Sequence, residues 1–205
     1  MKVIIFGANG KTGRLVTEKA LKAGHSVTAF LRDKSKLILE DKNLTIIEGQ
    51  ATNFEDVNKA MKNQEVVISC LGTDMISDVS TILFEMTKNI VKAMKENKVN
   101  RFIFTSSAGV ENEIPGEIGK RMMEMLKKPL DDHRNAVNEI KSNNLIYTIV
   151  RPLGLTEEDE KGSYKEVETG VPENGITITR ADVASFIIKS ISNKNYENKS
   201  ISISN

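Results

Sequence analysis

Three glycines fall within seven residues, at Gly7, Gly10 and Gly13, directly behind the apolar run KVIIF of residues 2–6. No other feature limits the fold of this chain as tightly. A short apolar run rich in β-branched and aromatic residues reads as a buried strand. After the glycines, Leu15, Val16, Ala20 and Leu21 fall near one face of a helix over 12–23. Gly7 lets the chain turn sharply off the strand, and Gly10 removes the Cβ that would keep a pyrophosphate from the backbone. Gly13 lets the helix pack close to the sheet. A helix that starts near Lys11 or Thr12 aims free N–H groups and its positive dipole end at such phosphates. Ordinary tight strand–helix turns also carry glycines. The position of this loop between a first and a second strand favours a dinucleotide site over that simpler account.

The rest of the chain repeats the same rhythm. SVTAF (26–30), LTIIEG (44–49), EVVISCLG (65–72), RFIFTSS (101–107) and LIYTIVRP (145–152) lack the alternation of half-exposed strands, so they read as parallel strands covered on both faces. Helical patterns lie between them. Residues 54–62 follow Asn53, an N-cap with Asp56 three residues on, and 81–97 set Ile82, Leu83, Met86, Ile90, Val91 and Met94 on one stripe. That stripe is core packing rather than a methionine-rich binding surface. Strands alternating with helices predict an α/β fold with a doubly wound parallel sheet. Residues 152–175, rich in Gly, Pro and acidic side chains, break the rhythm before a helix resumes over 180–191. They read as a small late insertion, a loop or hairpin on the substrate side.

A length of 205 residues suits one domain spanning 1–205. A net charge of +1 gives no general field for nucleic acid, and no apolar stretch reaches the roughly 20 residues of a membrane helix. The single cysteine, Cys70, forms no internal disulfide, and the glycines come too soon for a signal peptide. The expectation is a cytoplasmic protein that takes a small-molecule substrate, binds neither nucleic acid nor membrane and needs no metal.

The end of the second strand bears on which dinucleotide fits. An acidic residue there would accept the adenosine ribose hydroxyls. Here the segment is FLRDKSK, with Arg32 first and Lys34, Ser35 and Lys36 behind it. A guanidinium grips a 2′-phosphate through paired donors and stacks on adenine. NADP(H) is therefore expected over NAD(H), with Asp33 turned away to solvent. Lys34 and Lys36 alone would be an ordinary solvated cluster.

Seven pieces, IIFGANGKTGRLV, FLRDKSKL, EGQATNFEDV, VVISCLGT, RFIFTSSAGV, DDHRNAVNEIKSNNLIYTIVRP and ITRADVASFI, occur in an order that resembles the atypical short-chain dehydrogenase/reductase superfamily. They are most similar to its NmrA-like and biliverdin-IXβ/flavin reductase-like members. The resemblance implies a Rossmann-like fold that binds NADP(H), with reductase or nucleotide-sensing function. It implies that Gly7, Asn9, Gly10, Lys11, Thr12 and Gly13 hold the pyrophosphate and that Arg32 takes the 2′-phosphate. Gln50 stands where the family usually has an Asp that bonds the adenine amino group, and Ala51 lies near the ring. Gln50 still offers a carbonyl acceptor. Cys70, Leu71 and Gly72 would run along the cofactor towards the nicotinamide, with Cys70 a small buried hydrophobe rather than a reactive thiol. Ser106 and Ser107 would open the substrate side, and Arg151 and Pro152 would place backbone beside the nicotinamide.

Many members of the superfamily carry a catalytic Tyr and Lys four residues apart, and those slots fall here on Asp131 and Asn135. In their place stands DDHR (131–134), an Asp-Asp-His stretch that the flavin reductase-like proteins also carry before this helix. His133 is the candidate for orienting substrate or relaying a proton, with Ser107 as hydrogen-bond donor. A purely capping or packing role for His133 stands beside it. Loss of the Tyr–Lys pair argues against reduction of a simple ketone, whose developing alkoxide needs a donor. Flavin, quinone or tetrapyrrole acceptors can take a proton from solvent. Two functions follow from the resemblance: an NADPH-dependent reductase of a planar conjugated acceptor, or a non-catalytic NADP(H) sensor acting through a protein partner. An epimerase or dehydratase on a sugar nucleotide is a third, for which the insertion is small.

Overall fold

A computed structural model describes residues 1–72 and 81–205. Thr73, the last residue of the VVISCLGT piece, lies outside the described residues. Six parallel strands match the apolar runs: β1 (Lys2–Phe6), β2 (Ser26–Leu31), β3 (Leu44–Glu48), β4 (Val66–Ser69), β5 (Arg101–Thr105) and β6 (Ile146–Pro152). The helices are α1 (Lys11–Lys22), α2 (Phe54–Met61), α3 (Ile82–Glu96), α4 (Gly116–Met125), α5 (Lys127–Lys141) and α6 (Arg180–Ser190). Four short strands complete the set: β7 (Gly154–Thr156), β8 (Lys165–Val167), β9 (Thr177–Thr179) and β10 (Lys199–Ser204). The main sheet runs β3-β2-β1-β4-β5-β6-β10-β8, with β10 parallel to β6 and β8 antiparallel to β10. The strand order reverses between β1 and β4, and that switch point opens a crevice at the carboxyl ends of the strands.

Alternation within each strand sends side chains to both faces, and both faces are covered. Val3 and Ile5 join Val16, Ala20, Phe186 and Ile187 beneath α1 and α6. Ile4 and Phe6 join Val57, Leu83, Ile90, Phe102, Phe104 and Ile140 beneath α2, α3 and α5. Phe6, Phe102 and Phe104 are fully buried, and burying such a side chain contributes about 1.5–3 kcal/mol. This double burial explains why β1, β4 and β5 read as near-continuous apolar runs; β3 departs from the expectation of a strand covered on both faces, because it lies at the sheet edge and none of its residues is buried.

Three segments differ from the sequence-based expectations. DDHR lies inside the second turn of α5 rather than ahead of a helix. The insertion forms no separate hairpin: β7 pairs in parallel with β9, and β8 extends the main sheet. The last strand, β10, has the sequence KSISIS. Ser202 and Ser204 are buried as completely as its isoleucines, while Ser200 is partly exposed, so its polar alternation hid a largely covered strand.

Candidate functional site

The glycine loop leaves β1 at the switch point. Gly7 has φ +76°, and a Cβ there would lie 2.9 Å from the carbonyl oxygen of Cys70, at the end of β4. Gly13 is tighter still, because its Cβ would fall 2.1 Å from the carbonyl oxygen of Gly7. The third glycine thus seats α1 on the loop itself. Gly10 differs: its Cβ would meet only the Gly7 carbonyl oxygen, at 3.2 Å, and the residue is exposed. The Gly10 N–H donates to the Gly7 carbonyl and the Arg14 N–H to the Gly10 carbonyl, at 3.0 and 2.9 Å. Among the described residues no side chain caps α1, and its first turn holds no acidic residue. Its leading N–H groups, at Lys11, Thr12 and Gly13, therefore suit an anion. The bare, exposed Gly10 ahead of them is a cradle that fits a pyrophosphate. Asn9 is half-buried beside it.

At the end of β2, Arg32 is exposed, while Asp33 closes a short 3-10 turn over Lys34–Lys36. The side-chain hydrogen bond from Ser35 and the Ser35 backbone N–H, with Lys36 nearby, hold the Asp33 carboxyl below its ordinary pKa. Gln50 is exposed, and its backbone N–H donates to Asp56 at 3.0 Å. The carbonyl of the buried Ala51 accepts from the side-chain amide of Asn89, also at 3.0 Å. Neither contact ties up the Gln50 side-chain carbonyl.

Past the switch point, Cys70 keeps some exposure as a residue, but burial of its thiol pushes the pKa up to about 12. The Thr105 hydroxyl donates weakly to it at 3.9 Å. The thiol stays protonated and is no nucleophile. Leu71 follows half-buried, and Gly72 faces open space.

The serine beside His133 is Ser106 and not Ser107. Ser106 Oγ lies 3.4 Å from His133 Nδ1, whereas the Ser107 hydroxyl donates to the Ala108 carbonyl at 2.9 Å. Which of Oγ and Nδ1 donates depends on the imidazole tautomer. The His133 ring also meets the edge of buried Phe104, with centroids 6.3 Å apart. Burial pulls the imidazole down to about pKa 4, and the neighbouring Asp132 carboxylate opposes this only in part. At neutral pH His133 is therefore uncharged and can orient a hydroxyl but cannot act as an imidazolium acid. Asp131, at the Tyr slot, is held by Arg134 and by Lys127, the latter at 3.2 Å. Asn135, at the Lys slot, is exposed.

The backbone of β6 ends beside these serines. The Val150 carbonyl accepts the Ser106 N–H at 2.7 Å, and the Pro152 carbonyl accepts the Ala108 N–H at 3.0 Å. The Arg151 side chain is fully buried in a network of its own, with Glu113 and the carbonyls of Glu168, Gly170 and Ser200. It braces the insertion against the sheet.

Sequence reasoning missed three residues that shape this crevice. Asp132 is fully buried and accepts the N–H groups of Leu83 and Phe84, at 3.0 and 2.8 Å, so α5 caps α3. Such a cap across 49 residues leaves no local signal. Asp182, also buried, accepts the N–H groups of Lys161 and Gly162 and the Thr179 hydroxyl. Burial raises its pKa, yet the hydrogen bonds from Asn205, Thr179, Lys161 and Gly162 outweigh that and leave it lowered. Here a signal existed, since Thr179 and Asp182 have the spacing of a capping box. Arg180, between them, donates from Nη1 to the Thr12 hydroxyl at 3.2 Å.

A hollow lined by Leu39, Asp41, Leu44 and Ile46 lies at the amino end of β3, the opposite end of the sheet from the glycine loop.

Known proteins share this arrangement. The chain is 29% identical to the uncharacterized sugar epimerase YhfK of Bacillus subtilis (strain 168), over 99% of this chain and 94% of that protein. Other curated relatives are longer, and the chain spans 45% of one and 34% of another. A short-chain dehydrogenase/reductase (wide type) of Veillonella parvula, solved in complex with NADP, is 27% identical. It superposes with a TM-score of 0.85 over 100% of this chain and 94% of that one. ChuY, an anaerobillin reductase from Escherichia coli O157:H7, shares the fold at 20% identity, with a TM-score of 0.82 over 99% of this chain and 96% of that one. A family described as NAD(P)H-binding matches residues 7–194, from the first loop glycine to the turn that leads into β10. The chain thus belongs to the NAD(P)H-binding family, within the atypical short-chain dehydrogenase/reductase superfamily.

Proposed function

We propose that this protein is a cytoplasmic NADPH-dependent reductase of a planar conjugated acceptor of flavin, quinone or tetrapyrrole type. The observation that carries the proposal is the Ser106–His133 pair, beside the turn of α5 whose Tyr and Lys slots hold Asp131 and Asn135. When bound, the reduced nicotinamide supplies the hydride. The residues at the crevice then have to orient the acceptor and exclude water. Uncharged His133 fixes the Ser106 hydroxyl, which can bond a carbonyl or ring nitrogen of the acceptor. Uncharged His133 is no proton donor of imidazolium type, so the proton comes from solvent, which suits an acceptor that delocalises the incoming charge. NADPH is preferred because Asp33 is committed to Ser35 while Arg32 is exposed.

Steady-state oxidation of NADPH against a panel of flavins, quinones and linear tetrapyrroles tests this. Turnover above the free-cofactor background is expected for at least one class. No turnover, with NADPH binding demonstrated, would remove the reductase assignment.

One observation favours a second function, an NADP(H) sensor that works through a protein partner. Ile118, Met122 and Met125 form an exposed apolar row on α4, at 77%, 48% and 82% exposure. A sensor should bind one redox state of the cofactor much more tightly than the other, and the same chain should recover a stable partner.

A further inference from the structure

Two cations, Lys11 and Arg180, and one carboxylate, Glu157, stand beside the glycine loop. Lys11, in the first turn of α1, pairs with Glu157 of the insertion. Arg180, at the start of α6, also lowers the Glu157 pKa, behind the larger effects of the Lys11 hydrogen bond and charge. The Arg180 guanidinium reaches the Thr12 hydroxyl at 3.2 Å, while its Nε is enclosed with no hydrogen-bond partner among the described residues. Asp182 cannot serve as its counter-ion, because it is occupied by Thr179, Asn205 and the Lys161 and Gly162 N–H groups. Glu157 is 65% exposed at its side chain and can move into water at little cost.

We propose that Arg180 is a phosphate-binding residue of the dinucleotide site and that Glu157, the counter-ion of Lys11, is displaced by the pyrophosphate. This rests on the dinucleotide reading of the loop. A pyrophosphate diester brings two negative charges to the mouth of α1. Lys11 and Arg180 match that charge once Glu157 withdraws, and a carboxylate left in place would repel it. Arg180 would act on the part common to NAD(H) and NADP(H), whereas Arg32 faces the part in which they differ.

Calorimetric titration of the full chain with NADP⁺ and NAD⁺ tests the assignment. Arg180→Gln should weaken both dinucleotides by the same factor, about tenfold or more, as expected for a lost charge-assisted hydrogen bond. Arg180→Lys keeps the charge but not the fork of donors, and should weaken both by the same factor, less than Arg180→Gln does. Glu157→Gln should tighten both by about threefold or more, because it removes a competing anion without removing a donor. A folded Arg180→Gln protein with unaltered affinities, or Glu157→Gln with no gain, would overturn the inference. Should Arg180→Gln fail to fold, the Arg180→Lys and Glu157→Gln titrations decide by the same criteria. A parent chain that binds neither dinucleotide would instead refute the underlying reading of the loop.

Discussion

The carboxylate of Asp33 accepts both the backbone N–H and the hydroxyl of Ser35, at 3.1 and 2.6 Å. An acidic residue at the end of the second strand would otherwise be the ribose-binding group of an NAD site. Here the Asp33 side chain is exposed and hydrogen-bonded to its own 3-10 turn, and Arg32 stands exposed beside it. Arg32→Ala should weaken NADP⁺ by roughly 1.5–3 kcal/mol, the range for a hydrogen bond to a charged group, and spare NAD⁺. Ser35→Ala should narrow the preference by releasing Asp33 towards the ribose. Paired titrations with both cofactors check this, and equal losses for the two in Arg32→Ala would remove the 2′-phosphate role.

The loop glycines should separate folding from binding. Gly13→Ala places a Cβ 2.1 Å from the Gly7 carbonyl oxygen, a backbone atom that cannot swing aside. Displacing α1 to make room should cost about 3 kcal/mol, at the upper end of overpacking penalties, visible as a lower melting temperature. Gly10 has φ −70° and ψ 163°, an extended conformation open to any residue. Gly10→Val should therefore fold with little loss of stability but bind neither dinucleotide. A Gly10→Val protein of normal affinity would contradict the loop assignment.

The contrast between those two glycines also marks what was legible in the sequence. β1 to β6 could be read because most of them are buried on both faces and rich in apolar residues, a pattern that is local, although the edge strand β3 has no buried residue. The glycine loop could be read because bare backbone admits few residue types. Contacts across the chain could not. The Asp132 cap on α3, the brace of Arg151 on the insertion and the Arg180–Thr12 contact join residues 17 to 168 positions apart. Ser106 rather than Ser107 faces His133 because side chains alternate along an extended chain, so Ser106 follows Phe104 to the His133 side, and adjacent serines look alike in sequence. His133 itself was legible as a residue type, but its burial against Phe104 was not.

Asp132 should matter more for stability than for chemistry. Its oxygens serve the two leading N–H groups of α3, and the side chain is fully buried. Asp132→Ala leaves both donors without partners and should cost about 2–3 kcal/mol, combining a lost cap with buried unsatisfied groups. Asp132→Asn keeps one acceptor oxygen and should recover part of the loss. Chemical denaturation of the three proteins gives the ranking, and a stable Asp132→Ala protein would mean that α3 finds another cap.

His133 predicts how stability responds to acid. Its imidazole has a pKa of about 4 in the folded chain, mainly because burial disfavours the charged form, against 6.5 for the ordinary value. Below pH 6.5 the unfolded chain takes up a proton that the folded chain refuses, so stability falls with pH through that window. The difference corresponds to about 3 kcal/mol, lost progressively down to pH 4 and not beyond it. His133→Gln removes the titrating group and should flatten that part of the stability curve. It should also leave any reductase rate independent of pH between about 6 and 8, since the native imidazole does not titrate there. A native rate profile with an ionisation near 6.5 that vanishes in His133→Gln would show an exposed, protonatable imidazole. His133 would then be an acid of the reaction, and Ser106 would lose its place as the group that meets the acceptor.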